Sequence, residues 1–550
     1  MKPIWLEHYP PGTPAVIDPD TFPSIPAMIA EAAARYGDRV ALSSFGVTMT
    51  YAELDRLSDD FAGYLQHGLG LEDGARVALM MPNLLQYPVA LLGVLKAGLV
   101  VTNVNPLYTA RELKSQLIDS GAEAIVVSDL AAATFAEVRA HVPVRAVVVT
   151  RVGDLLPPPR RWLIHLMLKF RKAARPYDLP GALSFRAALA FGREHPPSGV
   201  RIRGDDLAFL QYTGGTTGRA KGAMLTHRNI VANIEQVRAL AGLTDGGGVI
   251  VPLPLYHIFA LTMLLLFMSY GMTSVLIANP RDIGGLIRAI ARLKFRAIMG
   301  INVLYDAMLK HPDFGRIDFS GLRYAVAGGA ATQEAVAREW LKRTGAPIVE
   351  GYGLTETAPV VTFSPPVEGY AFDGSVGLPV PSVEISLRDD AGEEVAPGAE
   401  GELWVRGPNV MRGYWNAPEE TGRALDAGGW LKTGDIARLT GEGRVVLVDR
   451  KKDMILVSGF NVYPAEVEEV IATHPGVAEV AVVGVPHEAA GEAVRAFVVR
   501  KDPDLTEDDI VRHCHGLLTA YKRPHAVVFR DSLPRSSVGK ILRRELRKEA

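Results

Sequence analysis

A chain of 550 residues is long enough for three or four structural units at roughly 100–200 residues each. Hydrophobic residues make up 48% and charged residues 22%, ordinary globular values that exclude a disordered, collagen-like or coiled-coil chain. Lys plus Arg (59) nearly balances Asp plus Glu (61), so no global field holds nucleic acid by counterion release, and no nucleic-acid partner is expected.

The first residues, MKPIWLEHYPPG, lack the apolar stretch of a signal peptide, and the lone Cys514 excludes an intrachain disulfide. Both lead to the expectation of a cytoplasmic protein. Helical patterns at 51–66, 87–97, 110–119 and 130–142 alternate with strand-like runs at 77–80, 99–103, 124–127 and 147–150, the rhythm of parallel sheets. Residues 160–175, RRWLIHLMLKFRKAAR, combine six Lys/Arg and no acid with bulky apolar side chains. A basic amphipathic helix of this kind suits the anionic inner face of the cell membrane, giving a peripheral contact; an ordinary packed surface helix suits the sequence equally.

A second α/β run spans 206–363, and neither run carries a glycine fingerprint for a dinucleotide. Residues 258–278 are uncharged over 21 positions, but Ser269, Tyr270 and Gly271 interrupt them. We read a core helix, a turn and a buried strand, too short for a hydrocarbon layer of about 30 Å. Short β runs follow at 383–387, 401–406 and 445–448, then a compact α+β pattern with helices at 464–473 and 507–518 and strands at 480–485, 494–499 and 527–529. The expected fold is α/β. A large N-terminal domain, 1–449, would comprise two α/β subdomains (about 1–200 and 201–370) and a β subdomain (371–449), followed by a small α+β C-terminal domain, 450–550.

Five segments carry chemistry. In YTGGTTGRAKG, residues 212–222, glycines, threonine hydroxyls and Lys221 make a loop able to enclose a polyphosphate, but not a Walker A loop, because Lys221 lies between Ala220 and Gly222. GYGLTET, 351–357, sets an aromatic, a hydroxyl and a carboxylate at a strand end, where they can stack on a base, bind phosphate and hold Mg²⁺; a strand-to-helix turn capped by Thr355 and Glu356 fits as well. In TGD, 433–435, a carboxylate can accept hydrogen bonds from two ribose hydroxyls. DRKKD, 449–453, marks the expected domain boundary, and PRSSVGK, 534–540, presents Lys540 on a flexible turn.

In that order and spacing the five segments resemble the adenylate-forming superfamily of acyl-CoA synthetases, luciferases and peptide-synthetase adenylation domains. The strings MPNLLQYPVALLGVLKAG, NVNPLYTARELKSQL, PLPLYHIFALT, LVDRKKDMILVSGFNVYP and VGKILRREL narrow the resemblance to bacterial long-chain fatty acid CoA ligases. It spans the chain.

The resemblance implies ATP-dependent activation of a long-chain fatty acid to acyl-adenylate, then transfer to CoA, with ATP, Mg²⁺ and CoA required. It implies that Thr213, Gly214, Gly215, Thr216, Thr217, Gly218 and Lys221 hold the β and γ phosphates. Glu356 would bind Mg²⁺ and Thr355 contact phosphate, with Tyr352 against adenine and Gly351 and Gly353 beside the nucleotide. Asp435 would take the ribose hydroxyls, aided by Arg450. Lys540 would bridge the α-phosphate and the attacking carboxylate, and Lys452 would be the hinge of a mobile C-terminal domain. Gly459 would line the CoA channel. Lys432 stands where many relatives have His, and Ser537 where Asn is frequent.

His257 is a candidate for the acyl carboxylate, and a core histidine fits the same residues. Gly328, Gly329 and Ala330 suit the wall of an alkyl tunnel or a plain core. An amino-acid substrate is disfavoured, because PLYHIFAL offers no carboxylate to an ammonium. The rival readings are a fatty acyl-AMP ligase serving a carrier protein and a silent nucleotide-binding module; a homodimer is allowed by the sequence.

Overall fold

A computed structural model describes the chain apart from residues 1–2, 171–173, 214–219, 330, 368, 458–459, 488–489, 516, 537–538 and 550, and residue 461 by its backbone only. The described residues divide into two compact units. The larger comprises Tyr9–Glu384 and Arg406–Gly429, the smaller Met1–His8, Ile385–Val405 and Trp430–Ala550.

Two sheets organise the larger unit. The seven-stranded sheet runs Leu183–Ser184, Ala146–Thr150, Ala124–Ser128, Arg76–Met80, Val100–Asn103, Leu207–Thr213, Lys221–Thr226, and all but the last strand are parallel. Its central strands are apolar on both faces, as parallel strands covered by helices must be. The nine-stranded sheet runs Leu378–Pro379, Val360–Phe363, Ile348–Gly353, Tyr324–Gly328, Ala297–Gly300, Gly248–Val251, Thr273–Leu276, Val40–Ser44, Val47–Thr50.

The expected cut near residue 200 does not separate these sheets. Val40–Ser44 joins the later sheet through Leu42 opposite Ser274, and Leu207–Thr213 joins the earlier one through Gln211 opposite Asn103. Pairing follows which apolar faces meet, a long-range choice that local pattern does not encode.

Helix boundaries have local causes. Thr50 with Glu53 and Thr109 with Glu112 form reciprocal capping boxes that start helices Tyr51–Gly63 and Ala110–Ser120. The second stops at Gly121, whose φ of 61° ends the helix in the left-handed region. The expected helix at 130–142 is shorter, Ala132–Val138 followed by a 3₁₀ turn, Arg139–His141. Ile258–Ser269 is apolar all round and buried, and its 12 residues span only about 18 Å. Among the described residues no helix is long and apolar enough to cross a membrane.

In the smaller unit, Glu384–Arg388, Gly401–Arg406, Leu431–Leu439 and Val445–Arg450 form a four-stranded sheet whose first member begins, and whose second ends, at the unit boundary. A second sheet carries Phe460–Val462, Ile455–Val457, Gly491–Arg500 and Val477–His487, with Ala526–Arg530 parallel to Gly491–Arg500. Helix Pro464–Ala472, preceded by Tyr463 and opened by its own proline, packs on that sheet with Glu507–His515, burying Cys514 in the core. Residues 430–449 fall in one unit with 450–550.

Candidate active site

In the larger unit, strands Leu207–Thr213 and Lys221–Thr226 form an antiparallel pair with Thr213 opposite Lys221. Gly214, Gly215, Thr216, Thr217 and Gly218 lie outside the described residues. The Lys221 ammonium pairs with Glu420 and stands 5.2 Å from the ring centre of Tyr414. The bond from Lys221 holds the Glu420 carboxyl below its ordinary range.

Tyr414 is the neighbour that Lys221 and Glu356 share. Its hydroxyl donates to Glu356 Oε1 at 2.6 Å, and its own N–H donates to Thr421 Oγ1 at 2.9 Å. Burial first, then the Glu356 charge, raises the phenol well above its ordinary value, so it stays a proton donor at neutral pH. Glu356 lies in the 3₁₀ turn Thr355–Thr357, directly after strand Ile348–Gly353. Buried Asn409 holds that turn, donating to the carbonyls of Thr357 and Val360 at 2.9 Å each. Gly353 is required before the turn: a Cβ there would lie 1.7 Å from the Pro359 carbonyl oxygen.

This donor set fits a hard cation. With one carboxylate oxygen engaged by Tyr414, the rest of the Glu356 carboxylate has lone-pair capacity for Mg²⁺. Mg²⁺ is commonly held by one or two carboxylates together with substrate phosphates and water.

Tyr352 is buried in its strand opposite Thr362, between half-buried Gly351 and Gly353. The acyl candidates lie across the same unit. His257 is half-buried, its ring 4.6 Å from that of Tyr256, and helix Ile258–Ser269 starts directly after it. The second residue of that helix, Phe259, covers Gly328, where a Cβ would come within 3.0 Å of its ring. Gly329 has a φ of 81°, which an L side chain seldom adopts, and Ala330 lies outside the described residues.

The smaller unit brings together Asp435 and Arg450, opposite each other on adjacent strands, with Arg450 Nε 3.1 Å from Asp435 Oδ1. Thr433 Oγ1 accepts the Asp435 N–H at 3.1 Å and donates to the Leu403 carbonyl at 2.6 Å, which pins the TGD turn. Lys432 Nζ lies 4.8 Å from the centre of the Trp404 ring. Lys452 is exposed on the turn between strands Val445–Arg450 and Ile455–Val457, and partial desolvation of its ammonium by the surrounding protein, followed by the Arg450 charge, lowers its pKa. Its neighbour Asp453 pairs with Arg547 at 2.9 Å. Lys540 is exposed on a closed turn: its N–H donates to Ser536 Oγ at 3.1 Å and its carbonyl accepts from the Ser536 N–H at 2.8 Å. Gly459 and Ser537 lie outside the described residues.

Residues 29–415 match the family model described as AMP-binding enzyme, and residues 466–540 match that of the AMP-binding enzyme C-terminal domain. The chain belongs to the AMP-binding enzyme family. The long-chain-fatty-acid–CoA ligase of Escherichia coli O157:H7 is 53% identical over 555 aligned positions, covering 100% of this chain and 99% of that protein. The ligase of the same name from Haemophilus influenzae is 47% identical, again covering 100% and 99%. Among solved structures, the anthranilate CoA ligase AuaEII in complex with anthranoyl-AMP superposes with a TM-score of 0.84 at 25% identity, covering 97% of this chain and 99% of that one. ATP-bound MatB from Rhodopseudomonas palustris gives 0.78 at 29% identity, covering 96% and 99%. The resemblance drawn from the motifs is thereby borne out.

Sequence reasoning about this AMP-binding enzyme missed Tyr414, Glu420 and Asn409. Tyr414 lies 58 residues from Glu356 and Glu420 lies 199 from Lys221, so no spacing signal joins them. Backbone pairing brings the segment to the site: Ala223 bridges Tyr414 antiparallel, the Trp415 N–H donates to the Gly222 carbonyl at 2.8 Å, and the Met411 N–H donates to the Glu356 carbonyl at 2.8 Å.

Proposed function

We propose that this AMP-binding enzyme is an ATP-dependent long-chain fatty acid–CoA ligase. The observation that carries the reading is the meeting of Lys221, Tyr414 and Glu356 in one polar cluster, which sets a phosphate-binding cation beside a metal-binding carboxylate. The full-length similarity to ligases of that name supports the acyl substrate.

A fatty carboxylate oxygen attacks the α-phosphorus of ATP and pyrophosphate leaves; the CoA thiol then opens the acyl-adenylate and AMP departs. In the first step Thr213, residues 214–218 and Lys221 hold the β and γ phosphates, and Thr355 donates to phosphate. Mg²⁺ on Glu356 would supply charge neutralisation there. Tyr352, flanked by Gly351 and Gly353, packs on adenine, and Asp435 accepts from the ribose hydroxyls with Arg450 fixing its carboxylate. Lys540 neutralises charge between the α-phosphate and the attacking carboxylate. His257, Gly328, Gly329 and Ala330 line the acyl end, and Gly459 the CoA channel.

Lys540 and the CoA thiol need the same space in turn, so residues 450–550 rotate about Lys452 between half-reactions. The ion pairs from Asp453 to Arg547 and from Glu468 to Arg543 support this, because they tie the segment after Lys540 to the body that follows the hinge. Helix Pro158–Phe170 supports a peripheral contact with anionic membrane: Trp162 (72% exposed), Leu163, Leu166, Met167 and Phe170 (79%) share one arc of about 140°, flanked by Arg160 and Lys169.

The test mixes protein, Mg-ATP and palmitate with or without CoA and follows pyrophosphate, AMP and acyl-CoA by mass spectrometry. Acyl-CoA formation supports the reading. Acyl-adenylate that never passes to CoA would replace it with a fatty acyl-AMP ligase, and no pyrophosphate at all would reject catalysis.

A further inference from the structure

The loop that carries His257 belongs to the nine-stranded sheet's connections, yet side chains of the seven-stranded sheet and of the connection after its strand Arg76–Met80 hold it. Asn83 accepts the Leu255 N–H at 2.9 Å and donates to the carbonyls of Val251 and Leu253 at 3.2 and 2.9 Å. Farther along, Gln211 Nε2 donates to the Tyr256 carbonyl at 2.7 Å. Gln211 is itself oriented: its Oε1 accepts from Asn103 Nδ2 at 2.9 Å, while Asn103 Oδ1 accepts from the Tyr87 hydroxyl at 2.6 Å. The Asn103 carbonyl takes a further bond from Gln116 Nε2 at 2.8 Å. Tyr87, Asn103, Gln116 and Gln211 are all buried, so each bond fixes an amide orientation that water would otherwise loosen.

Gln211 also lies two residues before Thr213, on the strand that leads into the phosphate loop. One amide therefore spans from that strand to the peptide preceding His257. The proposed chemistry needs a carboxylate oxygen brought to the α-phosphorus, and a displacement of about 1 Å in such a geometry costs on the order of 10²-fold in rate. Asn83 holds the loop two to six residues upstream, at Leu255, Leu253 and Val251; Gln211 holds the carbonyl adjacent to His257.

We propose that Gln211 is a positioning residue that sets His257 against the phosphate-binding strand and thereby aligns the fatty carboxylate for adenylation. Its side-chain amide is engaged by protein on both ends, at the Tyr256 carbonyl and at Asn103. The inference rests on the ligase reading and on the acyl-end placement of His257.

The experiment is a double-mutant cycle on the full chain, using Gln211→Met, His257→Ala and the double variant, read by single-turnover acyl-adenylate formation from palmitate and Mg-ATP. Gln211→Met is expected to lower the adenylation rate about 10- to 100-fold, with the KM for ATP within about 2-fold of the parent. In the His257→Ala background the same change should cost less than about 2-fold, because the group being positioned is gone. Gln211→Leu, apolar and without any donor for the Tyr256 carbonyl, should reproduce the loss and keeps the test open if the Met variant fails to fold. Additive losses, an unchanged rate in either Gln211 variant, or a rate loss matched by a rise in the ATP KM would overturn the proposal. An unmutated protein that forms no acyl-adenylate would overturn the ligase reading itself; an active one with additive losses overturns only this inference.

Discussion

The hydroxyl of Tyr414 donates to Glu356 Oε1 at 2.6 Å, linking a loop residue with no sequence signature to the carboxylate of the GYGLTET segment. A carboxylate that must neutralise growing phosphate charge is useful only in one orientation, and a half-buried phenol that stays protonated supplies it. Glu356→Ala should lower adenylation about 10²–10³-fold with the fold intact. Tyr414→Phe should lower it about 10-fold and shift the Mg²⁺ dependence to higher concentration. ATP–pyrophosphate exchange across a Mg²⁺ titration measures both, and an unchanged rate for Glu356→Ala at saturating Mg-ATP would remove the metal role.

Glu350, one residue before that motif, is buried with its carboxylate accepting the Thr332 N–H at 3.0 Å. Burial outweighs the Thr332 bonds and pushes its pKa from 4.5 up to about 7. Between those values the folded protein keeps a proton that the unfolded chain has released, so this group's contribution to stability falls as pH rises from about 4.5 to about 7. Glu350→Gln keeps an acceptor for Thr332 and lacks the titration. Its stability relative to the parent should improve from pH 5 to pH 8, by at most roughly 3 kcal/mol. Urea midpoints at the two pH values decide it, and a constant difference would show that Glu350 does not titrate there.

The two half-reactions should separate by mutation. Lys540→Ala should slow acyl-adenylate formation by about 10²-fold or more while leaving thioester formation from supplied acyl-adenylate and CoA nearly intact. Lys452→Pro, which fixes φ at the hinge, should do the reverse. Single-turnover measurement of each step is the check, and equal damage to both steps in both variants would reject rotation.

Helix Pro158–Phe170 leaves its bulky apolar arc exposed, and charge reversal at Arg160 and Lys169 should weaken co-sedimentation with phosphatidylglycerol vesicles and flatten its salt dependence. Turnover of a soluble medium-chain acid should stay within about 2-fold, since these side chains lie far from the reacting groups in role. Vesicle binding indifferent to mutation and to salt would leave the segment a structural helix.

Much of this enzyme was legible before folding. Contiguous motifs such as YTGGTTGRAKG and GYGLTET carry their chemistry in adjacent residues, and period-3.6 and period-2 patterns locate most helices and strands because each element buries its own apolar face. Capping boxes at Thr50 and Thr109 are equally local. Tertiary structure alone decided which strands share a sheet, sending Val40–Ser44 to the later sheet and Leu207–Thr213 to the earlier one. It alone brought Tyr414 to Glu356, Glu420 to Lys221 and Gln211 to the Tyr256 carbonyl. The physical reason is common to all of these. A buried donor or acceptor must find a partner wherever packing places one, and packing joins faces distant in the chain, so the partner's identity is written in no local pattern.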